Sequence, residues 1–321
     1  MSDEHIWRLE AIGIWKESTP GTQVPATYWL PKEGGTLKPV IEKAKDTSGY
    51  GRIEEAYDSQ KVKEMTELTI DGIVRDETFG ILMLAIFWAV NTTGTTPKSH
   101  AFSLANTNNH TSFSLWWVTD VATYACTYAM LDELTLTCEA GDYVKYSATF
   151  KGKKTTSETP PAVSYETDNE FLGKHVTVKF ADSEAWLAAA QAVPLERVEI
   201  TINKNLIDYQ ALGDDDVDSF FNQQFTIVGN FEALFNSETL LDYVKDDTKK
   251  FMKIEIINTD VTIGSDNPEI SFTFAKVSFD EWDKTTDNNG IVKQTIGFEA
   301  QFNNDEWYLA EALLVNSVTS Y

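Results

Sequence analysis

At 321 residues the chain exceeds one typical domain, so two domains are the starting expectation. Hydrophobic residues at 42% and aromatics at 12% make it globular rather than disordered. A formal net charge of -24, from 50 acidic against 26 basic residues, excludes a protein that grips nucleic acid through its phosphates, though not one that lets it pass, and equally serves solubility. Only Cys126 and Cys138 are present, too few for a disulfide framework. Residues 1–5 lack a basic region followed by an apolar core, so no signal peptide is read there. The apolar run 79–90 is too short to span a bilayer and reads as a buried helix.

In chain order, residues 1–60 read as a mixed leader with a strand near 27–30 and an exposed, polar loop or arm over 38–63. Leu68, Ile70 and Val74 alternate with polar neighbours as a half-buried strand, and Asp76 is a candidate cap for the helix that begins at Phe79. Strand patterns follow at 101–104 and 112–118. In the second, adjacent Trp116 and Trp117 are expected on opposite faces, which leaves one of them outside as a candidate subunit contact. Leu134, Leu136 and Cys138 alternate into a hairpin that returns through Val144, Tyr146, Ala148 and Phe150, and the Lys/Thr/Ser/Pro-rich stretch 151–161 reads as an inter-domain linker.

A strand at 176–180 and a helix at 183–192 capped by Ser183 bridge to the second half. There Val198, Ile200 and Ile202 alternate, the turn carrying Asp214, Asp215, Asp216 and Asp218 crowds four carboxylates, and Phe225 opens a strand that leads to a Ser237-capped helix. Met252, Ile254 and Ile256 return as a strand. Segments 271–279 and 291–302 form a hairpin across Asp287-Asn288-Asn289-Gly290, and 308–315 closes the chain.

The halves echo one another. Leu68-Thr69-Ile70-Asp71-Gly72 matches Phe225-Thr226-Ile227-Val228-Gly229, Glu133-Leu134-Thr135-Leu136-Thr137 matches Glu269-Ile270-Ser271-Phe272-Thr273, and Tyr146-Ser147-Ala148-Thr149-Phe150 matches Phe298-Glu299-Ala300-Gln301-Phe302. Three matches in one linear order point to a duplicated unit. The strand at Val198 precedes its signature whereas the nearest counterpart, at Ser112, follows, which leaves permuted or incomplete repeats open.

No nucleophile elbow, phosphate-binding glycine loop or zinc-type spacing occurs, and His100 and His110 read as solvated loop residues. Asp214, Asp216 and Asp218 fall at the first ligand positions of a calcium loop, but Ser219 stands where glycine is needed and Phe225 where a bidentate glutamate is needed, so a solvated turn, or one facing a like-charged partner that slides past, is the reading. No enzyme, cofactor or metal is expected.

The run Gly49-Tyr50-Gly51-Arg52 leading into Glu67-Leu68-Thr69-Ile70-Asp71-Gly72, the helix start Thr78-Phe79-Gly80-Ile81-Leu82 and the strand Val198-Glu199-Ile200-Thr201-Ile202-Asn203 resemble the tail tube proteins of long, non-contractile-tailed bacteriophages. The resemblance implies a mainly β chain of two tandem sandwich or barrel domains, each with a flanking helix. It also implies rings of six folds, from three chains or six, stacked into a hollow tail tube that conducts double-stranded DNA without tight binding. The partners it implies are other copies, a tape measure and a tail terminator, with no membrane; residence is in the virion tail after assembly in the host cytoplasm. The expected division is an arm at 1–60, a first tube domain at 61–155, a linker at 156–194 and a second tube domain at 195–321. A β-sandwich module binding carbohydrate or another partner is the competing reading, motivated by Trp116 and Trp117.

Overall fold

The computed structural model describes residues 6–105, 107, 111–286 and 290–321. The expectations placed on residues 1–5, on His110 and on the 287–289 turn lie outside these. A 3-10 turn at Trp7–Leu9 leads into β1 (Ala11–Lys16), β2 (Tyr28–Leu30), β3 (Gly34–Asp46) and β4 (Asp58–Ile73). Helix α1 (Phe79–Phe87) precedes β5 (Trp88–Thr93), β6 (Lys98–Leu104), β7 (Phe113–Val118), β8 (Thr123–Glu139), β9 (Lys145–Gly152) and β10 (Thr156–Ser157). The second half runs β11 (Val176–Ala181), α2 (Glu184–Leu187), β12 (Leu195–Asn203), β13 (Ile207–Tyr209), β14 (Ser219–Phe221) and β15 (Thr226–Leu234). It ends with α3 (Thr239–Lys245), β16 (Lys250–Ile257), β17 (Glu269–Thr285), β18 (Lys293–Ala300) and β19 (Ala310–Asn316). The chain is mainly β, as the alternation predicts: the strands join antiparallel into one large sheet, with β13–β14 a separate ribbon and no closed barrel among the described residues.

Pairing, rather than sequence, exposes how the halves correspond. In the first half β1 pairs β7, β3 pairs β4, β4 pairs β9, β7 pairs β8, and β8 pairs both β9 and β10. In the second β11 pairs β16, β12 pairs β15, β15 pairs β18, β16 pairs β17, and β17 pairs both β18 and β19. These pairings match strand for strand, with α1 after β4 and α3 after β15; the first half adds β2, paired to β1, and the β5–β6 hairpin, and the second adds the β13–β14 ribbon. The echoed glycines fall on equivalent pairs, Gly72 opposite Tyr146 and Gly229 opposite Phe298. A Cβ would lie 2.9 Å from the Tyr146 hydroxyl at Gly72 and 2.5 Å from Phe298 Cζ at Gly229. Each ring therefore covers its glycine, which is why a glycine interrupts two otherwise good strands.

Two expectations about the repeat are corrected by this pairing. The counterpart of the Val198 strand is β3, which precedes β4 just as β12 precedes β15, and not the Ser112 strand. The Glu133 echo is out of register, because the residue opposite Tyr146 is Leu136 and the one opposite Phe298 is Phe279. Alternation repeats every two residues and cannot by itself count register along a 17-residue strand.

Local departures have identifiable causes. The 38–63 arm is largely strand, the β3–β4 hairpin. Both its faces are solvated, so no apolar face announces it, and cross-strand charge pairs such as Lys63–Glu42 at 2.8 Å accompany the pairing. Segment 151–161 begins with the end of β9 and includes β10, paired to β8. The expected helix at 183–192 is only the four-residue α2, because the Ala-rich run has one buried anchor, Leu187. Of the three expected caps, Ser183 holds the N-cap position of α2 without a side-chain bond, and the other two do not cap. Asp76 is buried and accepts from the Asn169 backbone and side chain, each at 2.8 Å, while Ser237 lies outside α3, whose N-cap is Glu238. His100 is buried in β6, bonded to Thr92 Oγ1 at 2.8 Å and Asn316 Oδ1 at 3.0 Å.

The core follows the alternation. All nine residues of α1 are buried, and the helix lies against β8, β5 and β6. An apolar helix without a polar stripe is stable in water only when covered on every side. At its C-terminal end Lys204 is fully buried, its Nζ donating to Ala85 O and lying 4.5 Å from the Trp88 ring centroid. Burial pushes the Lys204 amine well down, against the opposing pull of Asp132.

Candidate functional site

Three features bear on function: the seam that joins the halves, the acidic turn, and the tryptophan pair. The seam is strand on strand. β8 continues past β7 to pair with β12, from Glu139 opposite Arg197 to Glu133 opposite Asn203. On the inner face Leu134, Leu136 and Cys138 meet Ile202, Ile200 and Val198, all buried. On the outer face the Thr135 and Thr201 hydroxyls lie 3.1 Å apart and Asn203 Nδ2 donates to Glu133 at 2.9 Å. Apolar pairs below and hydrogen-bonded pairs above make this a complete sheet junction. Burial also drives the Cys138 thiol up to about 12, so it behaves as a small apolar residue.

A second junction between the halves forms where β19 pairs with β6 of the inserted hairpin. Tyr321 reinforces it. Its ring stacks on Tyr28 at 5.8 Å and meets His100 edge-on at 4.9 Å, its hydroxyl donates to Glu77 O at 2.5 Å, and it accepts from Asn316 Nδ2 at 2.6 Å. Beside it Asp168 accepts from Thr78 Oγ1 at 2.6 Å, and desolvation, with the Asp76 charge next to it, raises the Asp168 carboxyl above the usual range.

The acidic turn lies between β13 and β14 and rests on the first half. The Glu64 backbone N–H donates to Asp215 O at 2.7 Å, and Gln210 Nε2 donates to Val62 O at 2.7 Å. Asp215 is paired with Lys61 and, at 3.4 Å, with Lys154, which reaches Asp216 at 4.0 Å. The Lys61 contact holds the Asp215 carboxyl below its ordinary value. Val217 is buried with Met65, Met130, Leu206 and Phe220, so the turn is pinned from below, while Asp214 and Asp218 remain exposed. Among the described residues no three His, Cys, Asp or Glu side chains converge to hold a metal. Lys61 and Lys154, which neutralise half of the cluster, carry no signal in sequence because each lies more than 60 residues away.

The tryptophans overturn the expectation that one faces outward. Trp116 is 5% exposed and Trp117 6%. Alternation does hold: Trp117 joins Leu115 and Phe113 in the main core and donates to Glu10 Oε2 at 2.7 Å. Trp116 points the other way, under the chain between β1 and β2, packed on Trp29 and donating to Val24 O at 2.8 Å. That segment gives β7 a second covered face, which period-two reasoning does not see. Both side chains are thus occupied within the chain.

The family model described as phage tail tube protein matches residues 7–300 of the chain. A search of curated proteins finds no match. No helix among the described residues is long and apolar enough to cross a membrane.

Proposed function

On the premise that this chain belongs to the phage tail tube protein family, a structural component of the virion tail, we propose that its copies join side by side into rings that stack into the hollow tube of a long, non-contractile tail. Double-stranded DNA passes through the bore. One observation carries this reading: the chain contains the same strand pairing twice and already joins the two sets edge to edge through β8 and β12. A surface that joins one unit to the next inside a chain is the kind that, repeated between chains, builds a ring. Each chain then supplies two tube-type units, β1 to β10 and β11 to β19, each starting earlier than the 61–155 and 195–321 division read from sequence. Three chains complete a ring of six, assembled in the host cytoplasm with a tape measure and a terminator.

The charge fits a conduit. A net charge of -24 leaves little to neutralise phosphates and hold DNA by counterion release. Asp214 and Asp218, the exposed pair of the acidic turn, are what that turn offers to passing DNA, while Asp215 and Asp216 hold the turn to the β3–β4 arm. No observation favours a carbohydrate-binding module, since the tryptophans that motivated it are buried. Negative-stain microscopy of the purified protein at high concentration tests the proposal: rings or hollow filaments are expected, and a persistent monomer would remove it.

A further inference from the structure

Taking the tube reading as its premise, we infer that the ring closes by pairing the free flank of β17 with the outer edge of the segment that opens β3 in a second copy of this chain. The pairing is antiparallel, with Glu33 opposite Phe279. The internal seam supplies the template. The C-terminal half of β8 is paired on both sides, by β9 and by β12. Its counterpart in β17 is paired on one side by β18; on the other, β16 leaves at Lys250 opposite Val277, and among the described residues no strand pairs with that flank from Ser278 to Thr285. On β3 the imbalance is complementary. β12 pairs with both β15 and β8, whereas among the described residues its counterpart β3 pairs with β4 alone. Each chain therefore carries one unpaired flank of each kind, the two halves of the junction it has already made once. Unpaired strand flanks are templates for further strands, and a head-to-tail contact of this type generates a ring when its rotation closes.

The register follows from the glycine pairs. Gly229 corresponds to Gly72 and Phe298 to Tyr146, so Phe279, opposite Phe298, corresponds to Leu136, opposite Tyr146. Val228 corresponds to Asp71, so Thr201, opposite Val228, corresponds to Gly34, opposite Asp71. In the seam Leu136 faces Ile200 and Thr135 faces Thr201. Transferred, Glu33 faces Phe279, Gly34 faces Ser278 and Lys32 faces Asp280. The flanks also differ in net charge: β17 exposes Asp280, Glu281 and Asp283 against Lys284, while the incoming segment brings Lys32 and the exposed Lys38 against Glu33. In a polypeptide whose copies repel one another, this local opposition of sign favours this edge over others.

Disulfide trapping in assembled protein tests the register. Lys32→Cys with Asp280→Cys replaces two residues outside the core and is expected to give covalent multimers on a non-reducing gel after mild oxidation. Lys32→Cys with Asp283→Cys, off the diagonal, and the wild type with its two buried cysteines are expected to stay monomeric on the gel. In the wild type, amide exchange over 278–285 is expected to slow by at least about tenfold on assembly, a readout that does not depend on the variant folding. Rings or tubes that show neither the cross-link nor the protection would overturn this seam and leave the tube reading standing. Wild-type protein that never forms rings or tubes would overturn both.

Discussion

Gly80 and Tyr321 give a sharp test of how Tyr321 is held against helix α1. A Cβ placed on Gly80 would sit 2.0 Å from Tyr321 Cζ, far inside contact distance, with Gly80 fixed in the buried helix α1. Gly80→Ala must therefore expel the Tyr321 ring, which loses its stacking on Tyr28 and both bonds of its hydroxyl. Removing a buried aromatic side chain costs about 3–5 kcal/mol. Alanine for glycine inside a helix returns about 1 kcal/mol, so Gly80→Ala alone should destabilise by about 2–4 kcal/mol. In a Tyr321→Ala background the obstruction is gone and only the helix preference remains, so the same Gly80→Ala change should now stabilise by about 1 kcal/mol. The sign reversal is the test, read as the shift in thermal midpoint of the four proteins of the cycle at one protein concentration. Domains of 150–250 residues move by roughly 2–4 °C per kcal/mol, so both steps are measurable. Equal effects of Gly80→Ala in the two backgrounds, or a Gly80→Ala protein as stable as wild type, would refute the reasoning.

Four further outcomes are expected. The Asp168 carboxyl is raised in the folded protein by desolvation and then by Asp76; the native state holds its proton more tightly than the unfolded chain, so this contribution to stability is full below the unfolded value and lost as pH rises through the folded one. Asp168→Asn should accordingly raise the melting temperature relative to wild type at pH 7 and lose that advantage below about pH 4, and an advantage that persists at low pH would contradict the assignment. Because copies of net charge -24 repel, assembly followed by light scattering should accelerate when salt is raised from about 0.01 M to 0.15 M, over which the screening length falls from about 30 to 8 Å; a rate indifferent to salt would argue that the like charges lie far from the contacts. Asp214→Lys with Asp218→Lys should leave tubes intact but slow DNA ejection, whereas Asp215→Lys should loosen the β3–β4 arm and show as faster amide exchange at Glu64; unchanged ejection from intact tubes would take Asp214 and Asp218 out of the bore.

What the sequence determined by itself is what local periodicity and composition encode. Leu68 and Ile70, Leu134 and Leu136, and Ile200 and Ile202 alternate because one face of each strand is buried, and the run from Phe79 is apolar all round because sheet covers it. Gly72 and Gly229 stood out as echoes, but not as the places where the Tyr146 and Phe298 rings pass over the backbone. Only the tertiary structure decided matters fixed by partners distant in the chain. Over 38–63 the β3–β4 hairpin is solvated on both faces and so has no apolar period there, Trp116 is buried by a segment some 90 residues away, and the Asp215 charge is answered by Lys61 and Lys154. Register was the largest loss: a period of two residues identifies a strand and its buried face but not its neighbour. That β12 lies beside β8, while among the described residues no strand pairs with the 278–285 flank of β17, came only from the tertiary structure.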